Sequence, residues 1–242
     1  MDRLVSHPAE KGIPEKLLTE HLAGVSEKML SALNRLRLSP KIISKEELTE
    51  LAGIIGIFHD IGKATPHFQR YIHKEIRSSA MTRHSFISAA LAFQITIEKG
   101  YDILWAIMIF KIILHHHGNL EAFKLQDSWP ANLAIAKDQW PHLKKSLQTN
   151  LDTWLFERVG SKCPNAINWE GISEALEFFV SDQPNHLAAD EDRIAYYLLF
   201  NLLYSLLLNA DKLDAARFKD AYYQGNFCLL YTSDAADEED SV

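Results

Sequence analysis

The chain has 242 residues, of which 47 % are apolar and 24 % charged, and it carries a net charge of −7. These proportions are those of a folded globular protein rather than a disordered one, and the length allows one or two domains. A negative balance argues against a nucleic-acid binder on charge alone. Five acidic side chains, however, lie in the last fifteen residues; without them 25 basic side chains face 27 acidic ones, and that argument loses its force.

Cys163 and Cys228 are the only cysteines, so no disulfide framework is expected and a reducing cytoplasm is the expected location. The start, MDRLVSHPAEKG, lacks the apolar core and small-residue cleavage site of a signal peptide. The most apolar stretch, 195–210, is interrupted by Tyr196, Tyr197, Asn201 and Asn209. It is shorter than the ~20 residues needed to span a bilayer and reads as a buried core helix, with no membrane partner expected. The final run CLLYTSDAADEEDSV has no Lys or Arg. Its first eleven residues resemble the in-frame translation of a sequencing adaptor; a disordered acidic tail is the alternative. Residues 228–242 are therefore set apart from the expected domain, 1–227.

Apolar residues recur at helical spacing nearly throughout, and strand-like alternation is scarce. Residues 17–38 predict a first helix with Leu18, Leu22, Val25, Met29, Leu30 and Leu33 inward. Ser44 followed three residues later by Glu47 is a capping-box signature that opens a second helix, ending at Phe58 or Asp60. Helices are predicted over 84–99 and 102–116, with Gly100 and Gly118 as stops. The pairs Trp129-Pro130 and Trp140-Pro141 predict short helices or a loop excursion over 119–150. Two more helices are predicted, over about 170–180 and 190–217. No Gly-rich phosphate loop, heptad array or CxxC pair occurs. The fold class is all-α, in one domain.

Within this pattern, polar groups suited to metal ligation recur in or at the ends of apolar helices. His21 sits among Leu17, Leu18 and Leu22; His59 and Asp60 end the second helix; His84 opens the third; His115, His116 and His117 end the fourth; Asp211 lies late in the last. Such residues can line one central pocket of a helical bundle. Imidazole with carboxylate suits iron, manganese, nickel or cobalt better than magnesium. Taken singly, each has a plainer reading: a satisfied histidine, a helix C-terminus, or an ion pair with Lys212 for Asp211.

The motifs HDIGKATPHFQ, RHSFISA, HHHGNL and NADKLDA together resemble the HD superfamily of metal-dependent phosphohydrolases. More narrowly, they resemble the HD nuclease domain of the CRISPR-associated helicase–nuclease of type I systems. The resemblance runs from about His21 to Asp214 and implies an HD-type helical bundle with a central dinuclear site. One divalent ion would take His21, His59, Asp60 and Asp211. The second would take Asp60, His84, His116 and His117, so that Asp60 bridges. The family motif has two histidines before glycine where this chain has three, which leaves His115 as the odd one. Two cations about 3.5–4 Å apart clamp the attacking and leaving oxygens of a phosphodiester and generate hydroxide near neutral pH.

Gly118 is expected to let His116 and His117 converge. Lys63, with Asp60, is the candidate catalytic group, touching a phosphate oxygen; a surface lysine is the alternative, and Arg83 has the same two readings. Thr65 and Gln69 are expected to shape a substrate channel, and Phe68, Trp105, Phe110, Tyr196 and Phe200 to be core. His7, His67, His73, His142 and His186 are expected at the surface. Asp214 shares a face with Asp211 and is expected to orient it.

The function expected from the resemblance is cleavage of single-stranded DNA in CRISPR interference, alongside a fused or separate helicase domain and an RNA-guided surveillance complex. The alternatives are an HD phosphohydrolase acting on nucleotides or cyclic dinucleotides, and a degenerate HD binding module. The last is disfavoured because no ligand position is visibly replaced.

Overall fold

The structure, a computed structural model, describes residues 3–9, 14–118, 129–181 and 190–216. Among them are nine α-helices and one two-stranded antiparallel hairpin, so the all-α expectation holds with a small β addition. Strands β1 (Val5–His7) and β2 (Lys16–Leu17) lead directly into α1 (Leu18–Arg35). The hairpin was missed from the sequence because three and two residues are too few to show alternation.

Helix α1 buries Leu18, His21, Leu22, Val25, Met29 and Leu33, whereas Leu30, expected inside, is only partly covered. Helix α2 (Lys45–Phe58) starts where the capping box predicts. Ser44 Oγ accepts from the Glu47 N–H at 3.1 Å, and the Glu47 carboxylate accepts from the Ser44 N–H at 2.9 Å. After α2 the chain tightens into a 3-10 turn, Ile61–Ala64, and enters α3 (Pro66–Ile72), with Thr65 as N-cap and Pro66 in the first turn. Helices α4 (Ser85–Glu98) and α5 (Ile103–Leu114) form an antiparallel pair with the most extensive packing among the described elements, turned by Gly100 at φ 86°. That positive φ is the one a glycine adopts without strain.

Helix α6 (Trp129–Asn150) corrects the expectation of short helices or a loop there. Pro130 lies in its first turn, where the missing N–H costs nothing. Pro141 lies inside the helix and removes one backbone hydrogen bond. Burial of Ala136, Gln139, Trp140, Leu143 and Leu147 along one face offsets that loss, each large apolar side chain contributing roughly 1.5–3 kcal/mol. Residues 119–128, part of the same predicted excursion, lie outside the described residues. Helices α7 (Asp152–Val159), not predicted, and α8 (Trp169–Ser181) follow, and α9 (Asp190–Ala215) packs mainly across α1.

By length and composition α9 is apolar enough to cross a membrane. Here it buries Leu199, Phe200, Leu203, Tyr204, Leu207 and Ala210 and ends in the polar residues described below. The buried-helix reading needs one correction: Ile194, Tyr197 and Leu198 are exposed. Trp105, Phe110 and Phe200 are core, and the half-buried Tyr196 lies tilted against Trp105 with ring centroids 5.1 Å apart.

Candidate metal centre

Five helices, α1, α2, α4, α5 and α9, deliver the histidines and aspartates to one buried place, from within or at their ends. His59, the C-cap of α2, and Asp60, at the start of the 3-10 turn, are almost fully buried. Around Asp60 the side chains divide by carboxylate oxygen. Oδ1 faces Nε2 of His84 at 2.9 Å, of His116 at 3.2 Å and of His117 at 3.8 Å. Oδ2 faces Nε2 of His21 at 3.1 Å and of His59 at 3.5 Å. Asp211 Oδ1 closes the second group, 3.3 Å from His21 Nε2 and 3.6 Å from His59 Nε2. Two sets of potential ligands result, Asp60 with His84, His116 and His117, and Asp60 with His21, His59 and Asp211, compact enough for an ion each.

The donor set fits divalent cations on two grounds. First, His59 donates from Nδ1 to the Gly56 carbonyl at 2.9 Å, and His116 does the same to the Ile113 carbonyl at 2.6 Å. A carbonyl only accepts, so in the neutral rings the proton sits on Nδ1 and Nε2 keeps its lone pair toward Asp60. Second, His59 Nε2 is buried without a hydrogen-bond partner, a costly arrangement for a polar atom unless something binds it.

Charge states follow from surroundings. Burial lowers the pKa of His84 to about 3 and of His116 to about 4, against the pull of Asp60, which leaves both imidazoles neutral as ligation requires. Burial acts in the same direction on His21, but Asp211, Asp214 and Asp60 outweigh it and raise its pKa to about 10, so a cation taking Nε2 would displace a proton from that ring. Burial would raise the carboxyls of Asp60 and Asp211; for Asp60 Lys63 and His59, and for Asp211 His21 and His59, hold them well below the usual range instead.

The neighbouring residues explain the motif spacing. Gly62 leaves no room for a side chain: a Cβ there would lie 2.5 Å from the His84 carbonyl oxygen and 2.7 Å from Ile87. That close approach sets the 3-10 turn against the start of α4. Lys63 is buried, its Nζ 3.0 Å from Asp60 Oδ2 and 5.5 Å from the centroid of Phe68, which excludes the surface-lysine reading. Phe68 is buried as expected, but its ring packs edge-on against His84 at 5.1 Å and so walls the centre.

Thr65 and Gln69 do structural work. Thr65 caps α3. Gln69 accepts from the Val5 N–H and donates to the carbonyls of Val5 and Lys63, pinning β1 beside the 3-10 turn. Arg83 is exposed, and its carbonyl, like that of Met81, accepts from the buried Gln139 of α6. Gln139, unflagged by any motif, thus holds the segment leading to His84.

Three other expectations are corrected. The turn at 115–118 owes nothing to glycine freedom, since Gly118 has no positive φ and open space at its Cβ position. The Tyr204 hydroxyl of α9 pins it instead, lying 3.1 Å from the His115 carbonyl and 2.7 Å from that of Gly118. His115 joins neither group of potential ligands. His7 is not a detached surface residue; its ring packs edge-on against His21 at 4.9 Å. Asp214 contacts His21 rather than Asp211, accepting from Nδ1 at 2.7 Å.

His73 and His142 are exposed as expected, although His142 pairs edge-on with the half-buried His67 at 5.1 Å; His186 lies outside the described residues. Among the described residues of the two groups, only His117 and Asp211 have partly exposed side chains, 29 % and 16 %.

No curated protein and no solved structure matches the chain. A family model described as Cas3, HD domain, matches residues 7–180, more than half of the sequence and every histidine of the centre. Asp211 and Asp214 follow the matched stretch. The chain belongs to the Cas3 HD domain family, the metal-binding nuclease domain of CRISPR systems.

Proposed function

We propose that the protein is a two-metal nuclease that hydrolyses phosphodiester bonds of single-stranded DNA in CRISPR interference. The observation that carries this reading is the division of Asp60, one oxygen facing His21 and His59 and the other His84, His116 and His117. His21, His59, Asp60 and Asp211 are the proposed ligands of one ion, and Asp60, His84, His116 and His117 those of the other. Two divalent ions so held would clamp the phosphodiester and activate water. Manganese, iron, nickel or cobalt suits this imidazole-rich set better than magnesium.

The chain's own residues supply the rest. His59 and His116 are held by backbone carbonyls with Nε2 inward, and Lys63 keeps the shared carboxylate charged and oriented. Substrate approaches where His117 and Asp211 meet solvent. The proposed partners are single-stranded DNA, a helicase domain fused or separate, and an RNA-guided surveillance complex; family membership supports a CRISPR nucleic-acid context. The proposed location is the cytoplasm, a reading that rests on the low cysteine count.

The test is substrate choice with manganese or nickel supplied. Labelled single-stranded DNA should be degraded, intact duplex largely spared, and the reaction stopped by chelator. Rapid hydrolysis of a nucleoside triphosphate or cyclic dinucleotide, with single-stranded DNA untouched, would replace this reading with a nucleotide phosphohydrolase.

A further inference from the structure

Asp214 sits in the last turn of α9, 2 % exposed, three residues beyond Asp211. Its carboxylate is the meeting point of three donors from the other end of the chain. His21 Nδ1 of α1 approaches Oδ2 at 2.7 Å, Lys28 Nζ of the same helix approaches Oδ1 at 3.0 Å, and Lys16 Nζ of β2 makes a short ion pair with Oδ2. Lys16 also donates to the Asp214 backbone carbonyl at 2.9 Å. Gly24 makes room, since a Cβ at that position would overlap Asp214 Oδ1. A helix without a side chain at 24 is what lets α9 bring this carboxylate so close.

We infer that Asp214 is the positioning residue for His21, fixing through its Nδ1 the nitrogen that His21 presents to the ion shared with His59, Asp60 and Asp211. The inference rests on the reading of His21 as a ligand. Hydrogen-bond logic gives the direction. Ammonium groups only donate, so both carboxylate oxygens of Asp214 act as acceptors, Oδ2 for Lys16 and Oδ1 for Lys28. His21 Nδ1 must then donate as well, and Nε2, 3.1 Å from Asp60 Oδ2, is the nitrogen left for a cation. This is the carboxylate–histidine–metal arrangement in which the outer partner sets tautomer and ring orientation. His7 packs edge-on against the same ring at 4.9 Å and limits its rotation.

Two rival roles make different predictions. If Asp214 mattered only as a negative charge near the centre, alanine and asparagine would be equally harmful, because both remove the charge. If it mattered only for stability, both ions would be affected alike, or neither. A positioning role predicts that asparagine, whose amide oxygen can still accept from His21 Nδ1, rescues what alanine loses. The loss should fall on one ion of the two.

The experiment is manganese titration of the full chain, read from the free-ion paramagnetic resonance signal, with chelator-state melting curves as a fold control. Wild type should bind two ions. Asp214→Ala should bind one ion about 10–100-fold more weakly and keep the other, which a further His84→Gln should remove. Asp214→Asn should stay within about threefold of wild type at both. Should Asp214→Ala melt too early to titrate, Asp214→Ala with Lys28→Met removes one unpaired ammonium and is read in the same way. Unchanged binding in Asp214→Ala, or an asparagine variant as weak as alanine, would overturn the inference while leaving the two-ion reading intact. A wild type that binds no manganese would overturn both.

Discussion

The ammonium of Lys63 lies 3.0 Å from Oδ2 of Asp60, and both side chains are buried, 3 % and 1 % exposed. A lysine three residues after an aspartate, on a turn pressed against α4, is thereby part of the centre's charge balance. Removing one partner of a buried pair leaves the other uncompensated.

Lys63→Met should therefore destabilise the protein by roughly 3–5 kcal/mol in chelator. Manganese supplies positive charge to the same carboxylate and should shrink that loss. Urea unfolding of wild type and variant, with and without manganese, measures the difference. An equal loss under both conditions would show that Lys63 does not act through Asp60.

The three consecutive histidines separate by substitution. His116 and His117 direct Nε2 toward Asp60 Oδ1, whereas His115 caps α5 and has its carbonyl bonded by Tyr204. His115→Gln should keep most nuclease activity, and His116→Gln and His117→Gln should lose it. Full activity in His117→Gln with loss in His115→Gln would shift the register by one.

Gly62→Ala would force a methyl group to within 2.5 Å of the His84 carbonyl oxygen. Overpacking of this kind costs about 1–3 kcal/mol. Because the strain falls on the backbone of His84, manganese binding at His84, His116 and His117 should weaken more than binding at His21, His59 and Asp211. Titrating Gly62→Ala against a Gly53→Ala control, where the Cβ meets nothing within 4 Å, isolates the effect. Equal binding in the two variants would refute it.

Much of this was legible from local chemistry. The Ser44–Glu47 box, the long apolar periods of α1, α2, α4 and α5, and the ends of those helices follow from propensity and capping within a few residues. The histidines and aspartates stood out because apolar helices rarely end in several imidazoles without cause. What stayed hidden depends on distant partners. Pro141 reads as a break, yet α6 continues because its buried face outweighs one lost hydrogen bond. His7 reads as surface because β1 is held against the centre by partners outside its own stretch, among them Gln69, 64 residues away from Val5. Asp214 could be placed beside Asp211 by helical spacing, but its bond to His21 spans 193 residues and no local pattern encodes it.

The most direct test of the shared carboxylate is the cleavage of single-stranded DNA by Asp60→Ala with manganese in excess. Losing Asp60 leaves the buried Lys63 unpaired and lowers stability, but helix packing carries the fold; protein that circular dichroism shows to be folded at the assay temperature should have its cleavage reduced to the level of the chelated wild-type protein. Cleavage by folded Asp60→Ala at the wild-type rate would contradict a centre in which both ions depend on that one side chain.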